Sequence, residues 1–480
     1  MNYKIVLKNL GIVLVCEGIA MLPSLMVALI YRENNVWAFL YTILLLFIIG
    51  IPVGAIKPKN SGLYVRDGFA IVAIGWILVS FFGSLPFYFS GVIPSFVDCF
   101  FEASSGFSTT GASILKQIEG LPQAILFWRS FTHWVGGMGV LVLTMAILPS
   151  AGTGALQIMK AESPGPSPGK LVPKVKETAK ILYGIYLLIT IIEIILLKVA
   201  GMSLFDAFVH TFGTVGTGGF SNMNLSVGAY NNVYIEMIIT FFMFLCGANF
   251  ALYYGMLKGN FKGFFKNGEF KIYSLIVITS IVLITFNIYG TMYKGAGQAI
   301  RYSAFQVVSV ITTTGYATAD FNIWPSFSKI ILFFLMFIGG CAGSTAGGIK
   351  TIRFMILFKA AKRDLLKIIH PRAIYHVRVG GKAISEKTLS EVLGFFFMYM
   401  MIFCAAILIV SIEGKDIVTT ITSVATTLGN VGPGLGMIGP RGNFSGFTDL
   451  SKMVFSFCMI VGRLEIYPIL LLVFPAFWKK

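Results

Sequence analysis

Four short segments rich in threonine and glycine interrupt an otherwise apolar chain. They are SSGFSTTGAS at 104–113, FGTVGTGGFS at 212–221, VSVITTTGYAT at 308–318 and TTLGNVGPGLG at 426–436. Aligned on the glycine that precedes Ala, Phe, Tyr or Pro, they give Gly111, Gly219, Gly315 and Gly432, spaced by about a hundred residues. The residues before these glycines are Thr109-Thr110, Thr217-Gly218, Thr313-Thr314 and Asn430-Val431. Irregular backbone at membrane depth is tolerated only where protein or a wet cavity surrounds it. Peptide carbonyls placed there can replace the water shell of a cation. Glycine permits the φ values that turn successive carbonyls inward, and threonine adds a hydroxyl on a stiff wall. One such segment is explained equally well by a glycine that ends a helix. Four at the same place in a repeated layout point to a ring of carbonyls around a cation path.

The elements that must position this ring are membrane spans. The 480 residues are 56% hydrophobic and only 12% charged, about half the usual charged share of soluble domains. Stretches 11–31, 36–56, 68–89, 181–200 and 393–412 are long enough to cross a bilayer. Each repeat reads as an apolar span (68–89, 181–200, 272–289, 393–412), a shorter half-apolar segment (95–107, 203–213, 298–311, 415–427), the Thr/Gly segment, and a second span (123–148, 232–257, 327–358, 447–475). The half-apolar segments are too short to cross and read as re-entrant helices. The expected fold is all-α and polytopic. It has two N-terminal transmembrane helices (1–60) and four pseudo-symmetric membrane–pore helix–membrane repeats around one pore (61–160, 161–260, 261–370 and 371–480). The net charge of +17 is carried mainly by the loops that flank the full spans. It marks the cytoplasmic side rather than a nucleic-acid partner, so both termini are expected in the cytoplasm. Six dispersed cysteines and four dispersed histidines form no metal-ligating or nucleophilic set, which argues against an enzyme.

Two further features fall within the second spans of the third and fourth repeats. FIGGCAGSTAGGIK at 337–350 places Gly339, Gly340, Gly343, Gly347 and Gly348 within ten residues. Glycine spacing there fits small-residue helix packing, but its density favours an unwound loop whose backbone Ser344 and Thr345 help satisfy. Lys350 and Arg353 are expected to snorkel to the cytoplasmic interface. Arg463 falls in the middle of the last span, where a charge must face a cavity or find a partner such as Glu465.

In these motifs, in this order, the chain resembles the Trk/Ktr/HKT superfamily of potassium transporters, in its TrkH-type branch. The resemblance is carried by GFSTTGAS (106–113), WRSFTHWVGGMGV (128–140), AESPGPSPGKLVPK (161–174), GTVGTGGFS (213–221), TTTGYAT (312–318), GGCAGSTAGGIKTIRF (339–354), NVGPGLG (430–436) and GRLEIYP (462–468). It implies potassium as the transported ion, the four glycines as filter residues, 339–348 as an intramembrane gating loop, and Arg463 as a cation barrier below the filter. Some relatives carry serine at the first filter position, a change linked to sodium permeation; glycine at Gly111 therefore favours potassium. Asn430 and Pro433 make the fourth quadrant the most divergent. The resemblance further implies a homodimer in the bacterial inner membrane, seated on a cytosolic ring of nucleotide-binding TrkA-type subunits, since no nucleotide-binding motif is found in this chain. A secondary symporter coupling K⁺ to H⁺ or Na⁺ is the alternative on the same scaffold, because broken helices also serve transporters.

Several other ionisable residues remain open. Arg129 is expected to support the filter from its outer end, and His133 to be a satisfied interior histidine rather than a proton relay. Asp98, Glu102 and Asp206 either complement helix dipoles or concentrate cations at the outer mouth. Glu17, Glu193 and Glu236 have no role that the sequence suggests.

Overall fold

The computed structural model describes residues 1–58, 64–139 and 175–479. The described chain is helical apart from one hairpin, Arg378–Val379 with Lys382–Ala383, and two lone bridging residues. Among the described residues, six helices are long and apolar enough to cross a membrane: Tyr3–Ile30, Val36–Gly54, Val65–Phe89, Glu177–Val199, Gly268–Ile288 and Glu386–Ser411. Their lipid-facing residues are large and apolar, such as Ile48, Phe286 and Leu408, as a hydrocarbon solvent demands. The chain is thus an all-α, multi-pass membrane protein.

Four shorter helices dive into this bundle: Phe96–Phe107, Leu204–Gly216, Ala296–Ile311 and Ile417–Gly429. At 1.5 Å per residue they reach about 18–24 Å, too little to span. Their starts are set by local chemistry. Ser95 and Ser203 accept hydrogen bonds from the amides of Asp98 and Asp206, and Asp416 accepts one from Thr419, each satisfying an orphan donor of the first turn. The Thr419 hydroxyl and amide hold the Asp416 carboxyl below the usual range.

The two N-terminal helices pack through glycine. A side chain at Gly11 would collide with Gly54 N at 2.3 Å, so the backbones touch there, as small residues allow in membranes. The two chain ends lie on one side of the bundle: Tyr3 Oη donates to the Trp478 carbonyl at 3.2 Å, and Asn2 N to Asp67 Oδ1 at 2.9 Å.

The second spans of the second and fourth units depart from the expectation of continuous helices, while that of the third is interrupted at the glycine-rich segment, as its sequence predicts. The span expected at 232–257 is Val233–Cys246 and Phe250–Leu257, bent by 95°. That expected at 327–358 is Ser326–Ile338 and Thr351–Ile369, and that at 447–475 is Asp449–Arg463 and Tyr467–Val473. The first unit's helix, Gln123–Gly137, ends at a comparable glycine pair; 140–148 and the AESPGPSPGKLVPK motif at 161–174 lie outside the described residues. A glycine lies at or near each break, in WVGGMG, CGANF and VGRLE, and lowers the cost of leaving the helix there. In the fourth unit the break itself sits on Glu465 (φ 54°) and Ile466 (φ 73°), a left-handed conformation costing a β-branched residue about 1–3 kcal/mol.

Candidate functional site

Each short helix ends in the same backbone conformation. Thr109 (φ 57°), Thr217 (φ 57°), Thr313 (φ 55°) and Asn430 (φ 55°) are all left-handed. Two residues later, Gly111, Gly219, Gly315 and Gly432 have φ between 77° and 98°. Four non-glycine residues at positive φ in equivalent places are rare, and only a common tertiary requirement offsets their strain.

That requirement is closure of a ring. A Cβ on Gly111 would fall 1.9 Å from the Gly218 carbonyl oxygen; one on Gly219, 2.0 Å from that of Thr314; one on Gly315, 2.3 Å from that of Val431; and one on Gly432, 2.7 Å from that of Thr110. The four segments therefore meet in cyclic order, each glycine against a carbonyl of the next, and the ring closes on itself. All four glycines also line one cavity of about 240 Å³ on the side of the loops that follow them, with Ser113, Ser221, Lys116 and Arg441 in its walls. The carboxyl ends of the four helices, the negative poles of their dipoles, converge on the ring and favour positive charge there.

Side-chain oxygens sit beneath the carbonyls. Thr109 Oγ1 and Asn430 Oδ1 are buried with no hydrogen-bond partner among the described residues. Such orphaned oxygens are few in native structures, and a desolvated cation would satisfy them. The other two equivalents are used: Thr217 Oγ1 donates to the Gly216 carbonyl at 2.6 Å, and Thr313 Oγ1 accepts from Gly347 N at 2.6 Å. Asn430 Nδ2 donates to Thr110 Oγ1 (3.0 Å) and to the Met459 carbonyl (2.8 Å), tying the fourth segment to the first.

A second layer holds the ring from behind. Arg129 pairs with Glu102 at 2.6 Å, both buried, donates to the Ser221 carbonyl at 2.9 Å, and lies 3.6 Å from the centre of the Phe220 ring. Glu102 also accepts from Ser113 Oγ (2.9 Å) and Ile114 N (3.0 Å). This pair fastens the strands after Gly111 and Gly219 to each other. Tyr316 Oη lies 3.0 Å from the His210 carbonyl and 3.1 Å from that of Phe220, joining the third segment to the second. Phe444 N donates to the Ser113 carbonyl at 2.8 Å, joining the fourth to the first. His133 Nδ1 contacts the Gly106 carbonyl at 2.7 Å, while its Nε2 has no partner among the described residues. Glu102→Ala would leave the Arg129 guanidinium buried without its carboxylate, at about 3–5 kcal/mol. We expect a lower unfolding temperature for the detergent-purified variant, and Glu102→Gln to recover part of it.

Residues 339–350 are unwound, with Gly339, Gly343 and Gly348 at φ between 70° and 74°. Most of the loop is buried, and its backbone is bonded to the second unit. Gly343 O accepts from Phe250 N at 3.0 Å, Cys341 N donates to Gly247 O at 2.8 Å, and Thr345 Oγ1 donates to Cys246 O at 3.3 Å. It thus docks on the bend of the second unit, whose broken backbone supplies the partners. A side chain at Gly347 would meet the Gly429 carbonyl at 2.7 Å, directly under the ring.

Arg463 locks this loop. Its Nη1 donates to the Thr345 carbonyl and its Nη2 to those of Gly136 and Gly137, all at 2.7 Å. One guanidinium thus bridges the first, third and fourth units, beside a cavity of about 90 Å³ lined by Gly347, Gly348, Lys350 and Glu465. Glu465, the alternative partner for Arg463, pairs with Arg353 of the third unit at 2.5 Å, its own backbone lying in the left-handed break at 465–466. Lys350 and Arg353 do not snorkel: they are 2% and 6% exposed. Lys350 donates to the Ala346 carbonyl of its own loop, and Arg353 lies over the Phe395 ring at 4.0 Å.

Asp98 and Asp206 stand in the first turns of their helices, where they complement the dipole, and each of the three acidic residues has a partner. Asp98 pairs with Lys452 at 2.5 Å, Glu102 with Arg129, and Asp206 accepts from Asn222 Nδ2 at 2.5 Å. Glu236 is held by Arg301, whose Nε lies 2.6 Å from it. Sequence reasoning missed two partners of the site, the bend at 247–249 and the left-handed break at 465–466, which Gly247 and Gly462 signalled only weakly. Asn430 was named as a site residue, but its amide tie to the first segment was not foreseen.

Comparison with known proteins places this geometry. Residues 37–480 match the family model TrkH, described as cation transport protein. The chain is 39% identical to the Trk system potassium uptake protein TrkH of Salmonella typhimurium over 494 residues, covering all of both chains. It is 39% identical to the protein of that name from Escherichia coli over 486 residues, again covering all of both. The crystal structure of the potassium transporter TrkH from Vibrio parahaemolyticus superposes with a TM-score of 0.91 at 35% identity, covering both chains completely.

Proposed function

Because this chain belongs to the TrkH family of cation transport proteins, we propose that it takes up potassium through a gated, channel-like pore whose selectivity filter is the four-segment ring. It is a membrane transporter and not an enzyme. The observation that carries the reading is the cyclic closure of the ring, each of Gly111, Gly219, Gly315 and Gly432 against a carbonyl of the next segment. In this reading the carbonyls of Thr110, Gly218, Thr314 and Val431 and their neighbours take over the ion's water shell. Thr109, Thr217, Thr313 and Asn430 form its inner end. Residues 339–348, with Arg463 through them, close the path below. Potassium is the cargo, and the domain division at 61–160, 161–260, 261–370 and 371–480 follows the four quadrants.

The relatives' name, a potassium uptake protein of a Trk system, supports the ion and a multi-component assembly. We propose a homodimer in the bacterial inner membrane, both termini cytoplasmic, gated by a nucleotide-binding subunit ring.

The test is potassium flux into proteoliposomes holding the full chain. Flux that follows the potassium gradient and voltage, with no imposed proton or sodium gradient, is expected. Flux strictly tied to a proton or sodium gradient would replace the channel by the symporter on the same scaffold.

A further inference from the structure

Glu17 lies near the middle of the helix Tyr3–Ile30 and is 3% exposed. That helix precedes residue 37, where the family match begins. Neither carboxyl oxygen has a hydrogen-bond partner among the described residues. The carboxyl faces Gly83: a methyl there would sit 3.2 Å from Glu17 Oε1 and 2.4 Å from the Phe107 ring. Phe107 is the last residue of the first re-entrant helix, immediately before Ser108 and Thr109. Trp128 Nε1 donates to the Gly83 carbonyl at 3.0 Å, so it is not available to Glu17. Ser80, one turn earlier on the helix that carries Gly83, also has a buried hydroxyl with no partner among the described residues.

Charged groups on the packed elements are engaged or distant. Arg129 is held by Glu102, Asp98 by Lys452, and His133 Nδ1 faces the Gly106 carbonyl. Arg66 and Asp67 start the helix Val65–Gly83 at its far end, where Asp67 accepts from Asn2 N. On Val36–Gly54 the titratable side chain is Tyr41, which is 57% exposed. On Tyr3–Ile30 itself, Lys4 and Lys8 lie at least two turns away, toward the N-terminal end, and Cys16 is the neighbouring residue. An ionised carboxylate at the bilayer centre without a counter-charge is costly, and a buried polar group with no partner adds to that cost.

We propose that Glu17 is a proton-binding site: a carboxylic acid held neutral at the bilayer centre, behind the first filter segment, whose ionisation lowers conduction. Loss of the proton to solvent leaves a charge that draws water or a counter-ion to the Gly83–Phe107 contact. Phe107 then shifts, and with it the Thr109–Gly111 quadrant. The conduction arm rests on the pore reading above; the protonation arm does not.

Infrared spectroscopy of the full chain in lipid reads protonation directly. At neutral pH a protonated carboxylic C=O band is expected that shifts in deuterium oxide and is lost in Glu17→Gln, with any band from Glu193 remaining. Potassium flux of the parent is expected to fall at least about threefold from about pH 7 to about pH 9, while Glu17→Gln holds its neutral-pH flux throughout. Absence of the protonated band, or the same pH profile in Glu17→Gln as in the parent, overturns the proposal. Absence of any protonated carboxylic band in the parent protein overturns the proposal by itself, even where Glu17→Gln fails to fold.

Discussion

Gly111→Ala will abolish most potassium uptake, by more than about tenfold, with the protein still present in the membrane. A Cβ there meets the Gly218 carbonyl oxygen at 1.9 Å, far inside any real contact, and at φ 77°. The obstacle is rigid backbone of the next quadrant, so one of the two segments must move by more than an ångström. A filter works by matching carbonyl positions to a dehydrated ion, and a loss of about 1.4 kcal/mol in that match is already tenfold. Gly91→Ala is the control. Gly91 has φ 71° but nothing within 4 Å of an added Cβ, so it suffers the backbone strain without the collision. Growth of a potassium-uptake-deficient strain on limiting potassium checks both. Gly91→Ala should support growth near the parental rate and Gly111→Ala should not. Parental growth with Gly111→Ala would remove the ring from the conduction path. Gly111→Ser is expected to fail likewise on limiting potassium, and sodium entry is the second measurement for it.

Arg463→Ala is expected to raise basal potassium flux several-fold in proteoliposomes without any partner. The substitution removes a positive charge under the ring together with three hydrogen bonds, to Thr345, Gly136 and Gly137. Those bonds join three units, so their loss frees the loop at 339–350 as well as lowering the electrostatic barrier. Arg463→Lys separates the two effects. It keeps the charge but cannot reproduce a planar fork reaching three carbonyls, so its flux should fall between the parent and the alanine variant. Amide exchange of residues 343–349 should quicken in both. Unchanged or lower flux for Arg463→Ala, with intact folding, would count against the barrier role.

Much of this architecture was legible from local chemistry. Long apolar runs announce membrane spans because every backbone group in lipid must be satisfied internally. The short helices before Gly111, Gly219, Gly315 and Gly432 were visible because 12 to 16 helical residues cannot cross a bilayer. The break at 339–350 was readable from glycine density alone. The 95° bend at 247–249 was not: a single Gly247 inside an apolar run is compatible with a continuous helix, and only the docked loop from the third unit makes bending favourable. The break at 465–466 has no glycine at either residue. Packing imposes it against local preference.

Pairing of charges was equally hidden. Arg463 and Glu465 are two residues apart, and nothing local forbids their contact. A side chain's partner depends on which neighbouring helix arrives, so Arg353, more than a hundred residues earlier, takes Glu465, and Arg463 reaches carbonyls of two other units. Composition and glycine spacing are local properties, so the solvent, the family and the four places where backbone leaves the helix could be read from them directly. The tertiary structure decided that those four places meet in cyclic order, that the second spans break beneath them, and that one arginine ties three units together. Each of these depends on contacts between residues roughly a hundred or more positions apart, which no window of the sequence contains.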